Sequence, residues 1–101
     1  MRQVLVLERT PIENGEAVQT IESAAAEALD EIPALAQAVF ITVEDNNIRY
    51  WLSGADPTAL FGHLVVAASY QNLYLANRTA IENLRMIGIG GNAEIHVTYY
   101  K

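Results

Sequence analysis

The sequence predicts an all-β domain, a jelly-roll-like antiparallel β-sandwich, and three observations carry that expectation. Apolar residues alternate with polar ones over short runs, most clearly in Ala38–Val43, Ile48–Leu52 and Ala93–Tyr100. Turn-forming Gly, Asn, Asp and Pro recur between those runs and give about seven or eight short strands spaced about 8–12 residues apart. No strand–helix–strand rhythm and no fixed-period repeat interrupts the pattern. Half of the 101 residues are hydrophobic, enough for one core, so residues 1–101 are expected to form a single domain.

Taken in chain order, Gln3–Glu8 (QVLVLE) reads as a strand stopped by Thr10–Pro11. Glu13-Asn14-Gly15-Glu16 is expected to be a tight hairpin turn, because Asn-Gly supplies left-handed positions, with Ala17–Ile21 as the returning strand. Glu22–Ala38 holds good helix formers but only a weak apolar stripe, so a short helix and an extended connection both fit it. Residues 1–37 are acidic enough to be read as an arm or peripheral segment.

The strongest local expectation is a hairpin in which Ala38–Val43 and Ile48–Leu52 pair across Asp45-Asn46-Asn47. Gly54–Thr58 follows as a loop, with Asp56 expected to cap it by accepting from backbone N–H groups. Leu64–Ala68 and Asn72–Ala76 are short strands, and Asn77–Asn83 is one helical turn with Asn77 as its N-cap. Leu84–Ile89 and Ala93–Tyr100 are strands joined by a hairpin turn at Gly90-Gly91-Asn92.

Charge excludes some functions. The net charge is −6, and residues 1–50 account for all of it, with nine acids against Arg2, Arg9 and Arg49. One lysine and no basic cluster argue against nucleic acid. No apolar run approaches the roughly 20 residues of a membrane span, and the N-terminus lacks the form of a signal peptide, so no membrane role and cytosolic synthesis are expected. With no cysteine there is no disulfide or thiolate chemistry.

Catalytic and cofactor motifs are weak, and neither an enzymatic activity nor a cofactor is expected. Gly88-Ile89-Gly90-Gly91 precedes a strand, whereas a phosphate loop opens a helix. His63 and His96 stand in no metal-ligand spacing, and Ser53 lies in no nucleophile elbow. Aromatic residues say more: Phe40 and Trp51 lie on the faces opposite Ile41 and Tyr50, so both faces of the central stretch carry rings. Phe40, Arg49, Trp51, Tyr74 and His96 are therefore the candidate interface residues, since Tyr, Trp and Arg are enriched where subunits meet.

The stretch from Ala38 to Lys101 resembles a class of small tailed-phage virion proteins. The matching pieces are Val43-Glu44-Asp45, Ile48-Arg49-Tyr50-Trp51, Gly54-Ala55-Asp56-Pro57-Thr58-Ala59 with Gly62-His63, and the terminal Val97-Thr98-Tyr99-Tyr100-Lys101. The N-terminal 37 residues depart from the pattern. The resemblance implies a non-enzymatic β-sandwich of the virion, similar to capsid decoration (cement) proteins. Its implied partners are the major capsid protein and copies of itself, on the capsid surface after a stay in the host cytoplasm. A tail or fibre component is the alternative, as is a carbohydrate-binding module that stacks sugars on Trp51 and Tyr74.

Overall fold

The computed structural model describes residues 9–101. The strand expected at Gln3–Glu8 lies outside the described residues. Seven strands and one short helix follow: β1 Pro11–Ile21, β2 Ala38–Val43, β3 Ile48–Trp51, β4 His63–Val65, β5 Leu73–Leu75, α1 Arg78–Asn83, β6 Arg85–Gly88 and β7 Ala93–Tyr100. They form a four-stranded sheet in the order β1-β7-β2-β5 and a three-stranded sheet in the order β4-β3-β6, and every pairing is antiparallel. The all-β expectation holds.

Alternation fills the space between the sheets. Val39, Ile41 and Val43 of β2, with Ile95, Val97 and Tyr99 of β7, are buried from the large sheet. Ile48, Val65 and Met86 meet them in the same cluster from the small sheet. Burial pushes the Tyr99 hydroxyl up to about 12, with the Asp30 charge adding to the shift and Arg78 opposing it. At about 1.5–3 kcal/mol for each large apolar side chain, this shared cluster is the main favourable term.

The expected β2–β3 hairpin is not formed. β2 belongs to the large sheet and β3 to the small one, so residues 44–47 are an arch that crosses the sandwich. The two arrangements share one alternation pattern, because Val43 and Ile48 face the core either side by side or from opposite walls. The arch's polar groups are satisfied by other strands. Asp45 Oδ1 accepts from Glu94 N (2.7 Å) and Asn46 N (2.9 Å), Asn47 Oδ1 accepts from Ala67 N (2.8 Å), and Ile89 N donates to Asn47 O (2.9 Å). The Glu94 N–H, and then that of Asn46, hold the Asp45 carboxyl below its usual value of 3.8.

Gly90-Gly91-Asn92 is likewise an arch between β6 and β7, not a hairpin turn. Asn14-Gly15 is not a hairpin turn either. Both residues lie inside β1, where pairing runs from Pro11↔Tyr100 to Glu16↔Thr98, so five steps along β1 match two along β7. Asn14 takes φ 59°, and this large bulge absorbs the turn chemistry that the sequence announces. Beyond it β1 pairs with β7 in continuous register to Ile21↔Ala93, so this part of the acidic N-terminal segment belongs to the sheet.

The segment 22–37 forms no helix. Glu27 makes a two-way backbone bridge to Met86 (both 2.8 Å), lying along the β6 edge. Gln19, buried on β1, holds the next residues: it accepts from Asp30 N (3.0 Å) and donates to Ala28 O (2.9 Å). Arg78 donates to Pro33 O (2.7 Å) and Ala36 O (3.0 Å) and fixes the turn before β2. Tertiary hydrogen bonds thus override the helix propensity of ESAAAEALDE. The helical turn expected at Asn77–Asn83 is present, with Asn77 Oδ1 accepting from Ala80 N (3.1 Å) as the N-cap.

Candidate functional site

Two outer surfaces gather the residues that could meet another molecule. The outer face of the large sheet follows from register: Glu16 lies opposite Thr98, Val18 opposite His96, Thr42 opposite His96, and Phe40 opposite both Thr98 and Tyr74. Three of the five expected interface residues, Phe40, Tyr74 and His96, therefore share one face. Phe40 and Tyr74 are half-buried, whereas Val18 is 64% exposed.

His96 is held between carboxylates on this face. Its Nε2 lies 2.6 Å from Glu94 Oε2 and its Nδ1 lies 3.9 Å from Glu44 Oε2. The hydrogen bond to Glu94 and then the Glu44 charge raise its pKa above 6.5. Glu44 also accepts from the Thr42 hydroxyl (2.8 Å). Among the described residues, no group of three or more His, Asp or Glu side chains is placed to hold a metal ion. The described strand residues on this face include no Lys or Arg, so it is acidic with aromatic and aliphatic patches.

Arg49 and Trp51 lie elsewhere, on the outer face of the small sheet, where β3 runs between β4 and β6. Arg49 is not a free interface cation. Its Nε donates to Ala59 O (3.1 Å) and its Nη1 to Gly62 O (2.8 Å), so one guanidinium clamps both ends of the Leu60-Phe61 pair. Trp51 stands edge-on to His63, with ring centroids 5.3 Å apart, and His63 also contacts the Tyr50 ring at 5.2 Å. Because Trp51 and Tyr74 belong to different sheets, they do not form one stacking platform for a sugar.

The loop between β3 and β4 is built around that clamp. Gly62 takes φ 134°, and a Cβ there would lie 3.1 Å from both Arg49 Cβ and Pro57 Cβ. Glycine is required on both counts. Thr58, rather than Asp56, caps the turn: its hydroxyl oxygen accepts from Leu60 N (3.3 Å) and Phe61 N (3.1 Å), while Thr58 N donates to Phe61 O (2.9 Å). Asp56 instead accepts from Arg85 Nε (2.8 Å), and Arg85 reaches on to Ala26 O (3.1 Å).

With their backbone bonds turned inward, the side chains of Leu60 and Phe61 project outward, 77% and 68% exposed. Leu64, opposite Arg49 on the same face, is 45% exposed. These three apolar residues were not among those expected at an interface. One sequence signal does point to them: no Asp, Glu, Lys or Arg occurs from Pro57 to Asn77.

No protein-family model matches the chain, and no curated protein sequence or solved structure matches it either. Among the described residues, no helix is long and apolar enough to cross a membrane.

Proposed function

We propose that this protein acts by binding rather than by catalysis, as a structural component of a tailed-phage virion that decorates and stabilises the outer capsid shell. The observation that carries the binding role is the outer face of the large sheet. There Phe40, Tyr74 and Val18 are framed by Glu16, Glu44 and Glu94, with no Lys or Arg among the described strand residues. Such a face suits a basic protein surface, with apolar and aromatic side chains supplying buried area and carboxylates supplying steering and register. The virion assignment draws on the resemblance of Ala38–Lys101 to small phage virion proteins. Many copies on one shell would turn modest single contacts into firm attachment.

Locating the protein in purified intact particles by cryo-electron microscopy tests the reading. Density for the sandwich at repeated positions on the shell is expected, with the large sheet toward the capsid subunits. A location confined to the tail or fibres would overturn decoration. A particle-binding assay with Val18→Lys and Tyr74→Glu then tests the face, and both variants should lose occupancy on the shell.

A further inference from the structure

We infer that Leu60, Phe61 and Leu64, on the outer side of the small sheet, form a self-association surface on which two copies of this chain meet about a two-fold axis. The inference deepens the proposed binding role by naming the copy–copy contact, and it uses a different face from the one assigned to the shell.

Solitary exposed leucines are ordinary on a protein surface, but a group of large apolar side chains presented together marks an interaction site. Here the group is built rather than incidental. The Arg49 guanidinium holds the carbonyls at Ala59 and Gly62, and Thr58 holds the N–H groups of Leu60 and Phe61. Gly62 lets the loop press against Arg49 and Pro57. Little ordering remains to be done when a partner arrives, and preorganisation of this kind favours binding.

Charge decides the partner. The chain carries twelve acids and a net charge of −6, yet none of those acids lies between Pro57 and Asn77. Two copies meeting through the large sheet would oppose Glu16, Glu44 and Glu94 to the same carboxylates. Meeting through the Leu60-Phe61 turn, they present no acid to each other: the one cation at the turn, Arg49, has its guanidinium on the Ala59 and Gly62 carbonyls, and Asp56 in the same loop is paired with Arg85. A basic partner would find no carboxylate on the turn to complement it. A two-fold arrangement also fits, because it uses the same patch on both molecules. Among the described strands β4 is the edge here but has only three residues, so side-chain packing rather than strand addition would supply the contact.

Sedimentation of the full chain over a wide concentration range, at low and high salt, tests the inference without any particle. A reversible monomer–dimer equilibrium is expected, strengthened by salt as the net charge is screened. Phe61→Asp and Leu60→Ser should each weaken it by about tenfold or more, as loss of a central apolar anchor does. Val18→Asp, on the other sheet, should leave it unchanged. Circular dichroism should show all three variants folded, since the altered side chains are exposed. A wild-type chain that stays monomeric throughout would overturn the inference, as would a dimer broken by Val18→Asp and not by Phe61→Asp. Loss of particle binding by Phe61→Asp with unaltered solution behaviour would also overturn it, by assigning the turn to the shell. Failure of shell binding alone, with the dimer intact, would instead count against the decoration role.

Discussion

The outer faces of the two sheets solve the same problem in opposite ways. On the large sheet, β7 and β2 carry Thr98, His96, Phe40 and Thr42 on a face laid out by strand register alone, with Glu44 and Glu94 bonded to their neighbours. On the small sheet, a loop from Leu52 to Gly62 folds against β3 and is held there by Arg49, Thr58 and Gly62. The first face is acidic; the second has no acid on its projecting turn and is apolar where it projects. A regular face depends on no single residue, whereas a clamped turn concentrates its structure in a few. Substitutions should therefore be tolerated on the large-sheet face and costly in the clamp.

Gly62→Ala is the severest test of that contrast. A Cβ forced into the left-handed region against Arg49 and Pro57 should cost about 3 kcal/mol in urea unfolding, combining backbone strain with crowding. Gly90→Ala, with φ 76° but open space around it, should cost only about 1 kcal/mol. Equal losses at the two glycines would remove the argument that Gly62 is crowded as well as strained.

Arg49→Met comes next, at about 2 kcal/mol, because two charge-assisted hydrogen bonds to carbonyls are lost while the aliphatic stem is kept. Hydrogen exchange in residues 58–62 should rise in this variant. Val18→Asp, on the regular face, should stay within about 0.5 kcal/mol of the parent protein.

The smallest effects are those of pH on the large-sheet face. His96 titrates above 6.5 in the folded protein, so its stabilising contribution is fully present below that value and is lost as pH rises through the folded pKa. NMR titration should show the raised value, and Glu94→Gln should lower it more than Glu44→Gln does. Asp45 runs the other way: its contribution is present above 3.8 and disappears as pH falls through its depressed folded value. An Asp45 titration unchanged by unfolding would mean that the arch does not hold its carboxylate on the Glu94 N–H.

What the sequence determined by itself was local. Alternation in Val39–Val43 and Ala93–Tyr100 specifies strands and their inward faces, because side chains on a strand have a period of two. Asn77 marks a helix start, because its side chain can replace a missing backbone partner. The candidate residues Phe40, Tyr74 and His96 also fall together, since all three sit on the outward parity of neighbouring strands.

Only the tertiary structure decided which strands pair. Asp45-Asn46-Asn47 reads the same in a hairpin and in an arch, and the difference lies in hydrogen bonds from residues as distant as Glu94 and Ala67. Asn14-Gly15 carries hairpin-turn chemistry yet forms a bulge, because the same left-handed conformation serves both. Arg49 likewise reads as an interface cation beside Trp51, and nothing local predicts that its guanidinium is taken up by the carbonyls of Ala59 and Gly62. Period and propensity act over a few residues, whereas sheet partners and buried hydrogen bonds are chosen by the fold as a whole.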